Sequence, residues 1–122
     1  MATILRHPRP GHLWDWWAVD AKGFLVQFSL GPAPEHLLAY VDRVDAVAAW
    51  AEECRPAWFD SDPPLHAFGS SGESSLYTRH GVPASPLRLS DAPAAVAEIA
   101  VLVRLNGVVG NTWTIRLEEG WV

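Results

Sequence analysis

Three of the four residues in Trp14–Trp17 are tryptophan, and this segment constrains the fold more than any other feature of the sequence. Successive side chains of a β-strand point to opposite faces of the sheet, so one strand cannot place all of these rings in the same layer. We therefore expect at least one of Trp16 and Trp17 to lie away from the main core. It would pack under a helix or serve as an exposed anchor for a partner protein, a role in which tryptophan is enriched.

The residues around this segment predict a β-hairpin. Two β-rich runs, Trp14–Asp20 and Phe24–Leu30, are separated by a turn that ends at Gly23. Glycine adopts the positive φ that such a turn requires, and the Asp20 carboxylate can accept hydrogen bonds from the turn backbone. Apolar and polar side chains alternate in the second run, which is typical of a strand with one face in the core.

An amphipathic helix is predicted after the hairpin. The prolines of Gly31–Pro34 suit a helix N-terminus, and Glu35 lies where the helix dipole is positive. Apolar residues recur at three- and four-residue spacings over Leu37–Ala51, and Pro56 ends the helix just beyond Cys54. We interpret Cys54 as a small buried apolar residue.

The second half of the chain predicts shorter elements. Turn-forming residues dominate Trp58–Ser75, which we expect to be an exposed loop. A short strand at Ser75–Arg79 and an extended segment at Pro86–Leu89 follow. Ser90 or Asp91 would then cap a second helix that begins near position 93.

Residues 99–117 fit two different structures. Asn106–Gly107 is typical of a helix C-cap, but also of the turn of a hairpin between Ile99–Leu105 and Val108–Leu117. The alanines before this region favour a helix, and its valines favour a strand. We predict a helix over 93–104 and a final strand at Thr112–Leu117.

At 122 residues the chain has the length of one domain with one core. We predict a small single domain, residues 1–122, of the α+β class. It has an N-terminal β-hairpin, an amphipathic helix, further short strands in a mainly antiparallel sheet, a second helix and a C-terminal strand.

Composition indicates a compartment and excludes several classes of partner. Met1–Pro10 lacks the apolar run of a signal peptide, and no stretch approaches the roughly 18 apolar residues of a membrane helix. The single cysteine cannot form an internal disulfide, which fits a reducing compartment. The net charge of −5 is opposite to that of a typical nucleic-acid binder. We expect a cytoplasmic protein that binds neither membrane nor nucleic acid.

The sequence contains no motif that predicts a metal, a cofactor or a catalytic residue. Its five histidines show neither the helical i,i+4 pair nor the cysteine cluster of zinc sites. Gly69–Gly72 lacks the lysine of a phosphate-binding loop and the spacing of a nucleophile elbow.

Acidic residues concentrate between positions 42 and 62, where Trp50 and Trp58 also lie. An aromatic anchor within an acidic rim suits the grip of a basic protein surface. The predicted partner-binding residues are Asp42, Asp45, Trp50, Glu52, Glu53, Trp58, Asp60 and Asp62.

Two parts of the sequence resemble a family of small bacterial proteins that open with an aromatic "A-[VI]-D-x-x-G" hairpin and a Gly-Pro step. The matching residues are Trp16–Phe28 and Gly31–Pro32, then Tyr77–Arg79, Pro83, Pro86–Leu87 and Asp91–Pro93. The chain is thereby similar to the immunity proteins of polymorphic-toxin systems. This resemblance implies a small cytoplasmic protein that binds and neutralises one cognate toxin. The acidity of the chain suggests a basic toxin domain such as a nuclease.

Two alternatives remain open from the sequence. A small enzyme or small-molecule-binding domain would assemble its site from residues distant in sequence, namely His66, His80, Asp60 and Ser71. A deep pocket that holds two of these side chains would favour it, whereas a convex acidic surface would favour the inhibitor. The other alternative is a homodimer joined through the tryptophan-rich hairpin.

Overall fold

A five-stranded sheet and two α-helices form the fold. The structure is a computed structural model, and it describes residues 5–7, 14–53, 65–71, 74–81, 83, 86–110, 112–117 and 121–122. The strands are β1 (Leu5–Arg6), β2 (Trp16–Val19), β3 (Leu25–Ser29), β4 (Ala33–Pro34), β5 (His66–Ser70), β6 (Leu76–Gly81) and β7 (Thr114–Arg116). The helices are α1 (Val41–Glu53) and α2 (Ala94–Ala100), with 3₁₀ turns at Glu35–Tyr40 and Leu89–Asp91.

The sheet has the strand order β2-β3-β5-β6-β7, and only the β3–β5 pair is parallel. A parallel pair needs a long crossover, and the stretch of chain that contains α1 provides it. A separate two-stranded pair joins β1 to β4. This arrangement confirms the predicted α+β class and its mainly antiparallel sheet. Within the described part of the chain, each helix is too short or too polar to cross a membrane.

The predicted hairpin is present as β2 and β3. Gly23 has a φ of 86°, and the Asp20 carboxylate accepts hydrogen bonds from the backbone N–H groups of Lys22 (3.0 Å) and Phe24 (2.9 Å). The turn is therefore stabilised by the two residues that the sequence indicated.

Aromatic rings fill one face of the sheet. Phe28 stacks on Trp16 with ring centroids 4.4 Å apart and on Phe68 at 5.7 Å, and it meets the Tyr77 ring edge-on at 4.9 Å. Trp17 points to the opposite face of β2, yet its exposed fraction is only 1%, against 0% for Trp16. Both faces of β2 are therefore covered. Of the two alternatives for these positions, packing under a helix or an exposed anchor, the exposed anchor is wrong, because neither ring reaches the surface.

The prediction of an exposed loop over Trp58–Ser75 is wrong for its second half. Residues 66–70 form β5, a central strand, and Leu65 and Phe68 are buried in the core. Local composition did not indicate this strand. Its stability comes from pairing with β3 and β6 and not from the β-propensity of Gly69 and its neighbours. Residues 58–64 lie outside the described part of the chain.

The region 99–117 follows neither alternative completely. Helix α2 ends at Ala100, and the next residues run beside β2, where Val19 donates to the Val103 carbonyl (3.1 Å) and Leu105 donates to the Val19 carbonyl (2.8 Å). Residues 103–105 thus pair with β2 like a strand, although the helix was predicted to continue to position 104. The final strand, β7, lies within the predicted range.

The start of α2 also departs from the prediction. Pro93 precedes the helix without a side-chain capping hydrogen bond, while Ser90 and Asp91 belong to the preceding 3₁₀ turn. The proline is suited to this position because the first turn of a helix leaves its N–H groups unpaired.

We expect Gly23→Ala to lower the free energy of unfolding by about 1–2 kcal/mol, the cost of a left-handed conformation for a residue with a Cβ. Space is not the reason, since the nearest atom to an added Cβ, Arg88 Nη1, would lie 3.9 Å away. Gly23→Asn should lose less, because asparagine tolerates this region. Urea unfolding of both variants tests this, and equal losses would contradict it.

Candidate functional site

Helix α1 carries the described part of the predicted partner surface. Val44 and Val47 are buried in the core, so the helix presents its other side to solvent. We call the residues on that side the outward face of α1: Asp42, Asp45, Ala46 and Ala49. Asp42 and both alanines are exposed, and Asp45 is half-buried.

The structure places the other predicted partner residues differently. Trp50 is half-buried and packs against the core, so it is not a free aromatic anchor. Glu52 and Glu53 occupy the last turn of α1. The remaining three predicted residues, Trp58, Asp60 and Asp62, lie outside the described residues.

The positive charge of Arg43, next to the outward face of α1, is paired with a carboxylate. Arg43 donates to a Glu98 carboxylate oxygen of α2 at 2.7 Å, and about half of each side chain is exposed. This ion pair joins the two helices. Among the described side chains of α1, Asp42 is an exposed acidic residue and Asp45 is a half-buried one.

A second feature, a cluster of three buried polar side chains, was not predicted. Asp20, His66 and Arg79 come from the hairpin turn, β5 and β6, and their exposed fractions are 5%, 3% and 4%. We call these three residues the polar cluster. Charged residues are rarely buried unless they are paired, so each needs a partner within the protein.

Arg79 finds its partners in β5 and in the backbone that leads into β7. It donates from Nη1 to His66 Nδ1 at 2.7 Å, from Nε to the Thr112 carbonyl at 2.8 Å and from Nη2 to the Gly110 carbonyl at 2.8 Å. A weaker contact reaches the Val109 carbonyl at 3.4 Å. The planar guanidinium suits this task because its five N–H groups fan out in fixed directions.

Asp20 binds the same stretch of backbone at Val109. Its Oδ2 accepts a hydrogen bond from the Val109 N–H at 3.1 Å, while Oδ1 serves the hairpin turn. We call Val109, Gly110 and Thr112 the anchored segment. Its N–H and C=O groups are thus bound by opposite charges of the polar cluster.

The arrangement requires a neutral His66. Arginine can only donate, so Nδ1 of the imidazole must carry a lone pair and its proton resides on Nε2. Burial and the neighbouring positive charge of Arg79 lower the pKa of His66, and Asp20 partly offsets this. Burial likewise lowers the pKa of Arg79, whose guanidinium also lies 4.7 Å from the centre of the Phe68 ring.

Of the described residues proposed for a dispersed catalytic site, His66 and His80 lie on opposite faces of the sheet. His66 points to the buried face of the sheet, whereas His80 is exposed and its imidazole covers Gly69 on the other face, where an added Cβ would collide with the ring. The register shift in the β5–β6 pair places His80 opposite the step between Ala67 and Phe68. Ser71 is exposed beyond the end of β5, and Asp60 lies outside the described residues.

Metal ligands are also not gathered in the part of the chain that the structure describes. No three His, Cys, Asp or Glu side chains there lie close enough together to hold an ion.

Sequence reasoning missed two further features. Trp113 was assigned to the final strand, but it precedes β7 and is 58% exposed. Arg79 was taken as an ordinary strand residue. One signal in the sequence was available. Arg79 follows Tyr77 by two residues, so both side chains lie on the same face of a strand. An arginine on a face that is otherwise apolar needs a partner within the protein.

Stability should depend on pH through His66. Its pKa is lowered in the folded state from about 6.5 in the unfolded chain, so the unfolded state binds more protons below that value. The full contribution is therefore present above about pH 6.5, and it is lost as pH falls towards the folded pKa. Urea unfolding from pH 8 to 5 should show this decline, and His66→Gln should flatten it.

His80→Gln is the matched control for this experiment, because His80 is exposed and outside the polar cluster. It should leave the pH dependence of the unfolding free energy as it is in the unmodified protein. An unchanged pH profile in His66→Gln would show that the Arg79–His66 hydrogen bond does not control the acid sensitivity.

Arg79→Lys should destabilise the protein by about 2–4 kcal/mol. The charge is kept, but one ammonium group cannot reach His66 and the carbonyls of Gly110 and Thr112 together, and each buried group left unpaired costs about 1–3 kcal/mol. Arg88→Lys is the control, since Arg88 is exposed and makes one backbone hydrogen bond and a contact with the Phe24 ring. Equal losses in both variants would contradict an anchoring role for Arg79.

Comparison of the chain with protein-family models, curated proteins and solved structures finds no match. The similarity to immunity proteins thus remains an expectation that rests on turn and core residues.

Proposed function

We propose that this chain is a non-enzymatic inhibitor, an immunity protein that neutralises a cognate bacterial toxin by binding it. The observation that carries the proposal is the outward face of α1, which combines two aspartates with exposed alanines on a helix whose other side is fixed in the core. The resemblance of the hairpin and of the later turn residues to immunity proteins supplies the class of partner.

The outward face of α1 is suited to close contact with another protein. Ala46 and Ala49 have the smallest side chains that a helix favours, so a partner surface can approach the helix backbone. Asp42 and Asp45 lie at a three-residue spacing and therefore share this side of the helix. Such a surface complements a basic partner, because opposite charges speed the encounter and fix its orientation.

Two contacts also hold the helix and the turn before it against the rest of the fold. Arg43 joins it to Glu98, and just ahead of it His36 Nε2 donates to the Leu102 carbonyl at 2.6 Å. Binding to a prearranged surface costs less conformational entropy than binding to a mobile one. An inhibitor that must act on its toxin at once benefits from this arrangement.

Co-purification of the tagged protein from its native host, with mass spectrometry, should return one stoichiometric partner that carries a basic toxin domain. With both proteins purified, we expect Asp42→Lys combined with Asp45→Lys to slow association at least about tenfold, since rim charges act mainly on the on-rate. The unmodified pair should also associate more slowly as salt is raised.

Asp91→Lys is the control for the charge reversal, since Asp91 is exposed but belongs to the 3₁₀ turn before α2. Its association rate should stay within about twofold of the original. Absence of a stoichiometric partner, or equal effects of the reversal at α1 and at position 91, would refute the proposal.

A further inference from the structure

Two charged side chains of the polar cluster bind the anchored segment, whose three residues belong to no helix or strand. Asp20 Oδ2 accepts a hydrogen bond from the Val109 N–H at 3.1 Å, and Arg79 donates to the carbonyls of Gly110 and Thr112, each at 2.8 Å. Within the segment, the Thr112 N–H donates to the Val109 carbonyl at 2.7 Å. The polar contacts between the segment and the rest of the fold therefore come from Asp20 and Arg79.

The third member of the cluster, His66, acts on both of these side chains. Its Nδ1 accepts from Arg79 Nη1 at 2.7 Å, and the Asp20 carboxylate is near enough to favour a positive charge on the imidazole. The Phe24 ring meets the imidazole edge-on at 6.1 Å, and the Arg88 guanidinium lies 4.5 Å from the centre of that ring. Neither β3 nor the anchored segment contains a charged residue. Among the described residues, the charges that bear on His66 are thus those of Arg79 and Asp20, with Arg88 beyond Phe24.

A proton on Nδ1 of His66 would disrupt both contacts with the anchored segment. The imidazole and the Arg79 guanidinium would then be two donors of the same charge, so the guanidinium has to move away. Its N–H groups point in fixed directions, and it cannot turn from Nδ1 while it keeps both carbonyls of the segment. The charged imidazole also attracts the Asp20 carboxylate, which draws that carboxylate from the Val109 N–H.

The strands on either side of the segment are paired through other groups. The Arg79 backbone N–H donates to the Trp113 carbonyl at 2.8 Å, next to the pairing of β6 with β7. The Leu105 N–H donates to the Val19 carbonyl at 2.8 Å beside β2. These hydrogen bonds join backbone groups only, so a charge on His66 does not replace a donor or an acceptor in them. The Val109 side chain is fully buried and keeps the segment close to the core.

We propose that protonation of His66 releases the anchored segment from the polar cluster while the sheet around it stays folded. The fold thus contains an acid-sensitive switch beside the exposed Trp113. Burial and the charge of Arg79 lower the pKa of His66 while the segment is bound, whereas the open form has a more accessible imidazole. The open form therefore binds the proton more tightly, and falling pH favours opening. The switch is a property of this chain alone and is independent of the function proposed above.

Amide hydrogen exchange of the purified protein, followed by NMR at several low urea concentrations, tests the switch. We expect the protection factor of the Val109 N–H to fall at least about tenfold from pH 8 to 5, since an open-form pKa of about 6.5 allows up to roughly 30-fold. At pH 5 this protection should not change with urea, because opening of one segment exposes little surface.

The backbone N–H groups of Arg79 and Leu105 are the reference in the same experiment. They should be more protected than the Val109 N–H at pH 5 and should lose protection as urea is added, since their exchange requires the sheet to unfold. If all three N–H groups share one protection factor and one urea dependence, they exchange only through global unfolding, and the switch is overturned.

His66→Asn removes the proton site but keeps a neutral acceptor, because Oδ1 of asparagine takes the position of Nδ1. In this variant the protection of the Val109 N–H should change less than about twofold between pH 8 and 5. His80→Asn is the matched control, since His80 is exposed on the other face of the sheet, and it should keep the pH dependence of the unmodified protein. A pH dependence that persists in His66→Asn would overturn the role of His66.

A second measurement needs no variant. The imidazole nitrogen chemical shifts of His66 in the unmodified protein should show the proton on Nε2 at pH 8 and a titration midpoint below about pH 6.5. A proton on Nδ1 at pH 8 would overturn the switch, because Arg79 would then have no acceptor on His66 to lose.

Discussion

The hydrogen bonds of one buried guanidinium join three parts of the second half of the chain. Arg79 lies on β6, and its side chain donates hydrogen bonds to His66 of β5 and to the carbonyls that precede β7. Removing a cation from water is costly unless such partners are all in place. The position of the anchored segment, and with it the start of β7, follows from satisfying this charge.

Asp20 links the polar cluster to the most local element of the fold. One carboxylate oxygen closes the β2–β3 turn and the other binds the Val109 N–H, so the hairpin and a segment nearly ninety residues later share one acceptor. The hairpin would form without this contact, since Gly23 and the strand pairing determine it. Arg79 holds the distant segment as well, so the carboxylate and the guanidinium position it together. The β2–β3 turn thus provides a binding site for the anchored segment, which is distant in sequence.

The same distinction explains what the sequence predicts and what it hides. The hairpin and α1 follow from short-range signals: Gly23 for a positive φ, and apolar spacing over Leu37–Ala51 for a helix. Strand β5 and the polar cluster depend on partners far along the chain, because Phe68 is stabilised by Phe28 and His66 by Arg79. Tryptophan shows the limit most clearly. The sequence left open whether Trp16 or Trp17 would be buried under a helix or exposed, while tertiary packing buries both rings and leaves Trp113 exposed.

Charged residues have two different roles in this fold. Asp42 and Asp45 lie on the outward face of α1, where charge would act on the proposed partner before contact and therefore on the rate of encounter. Asp20 and Arg79 are buried, and their charges act within the protein. An apolar residue at position 79 would pack at lower cost, but it has no N–H groups to donate to the carbonyls of Gly110 and Thr112. The buried guanidinium thus binds backbone groups that an apolar core would leave unpaired.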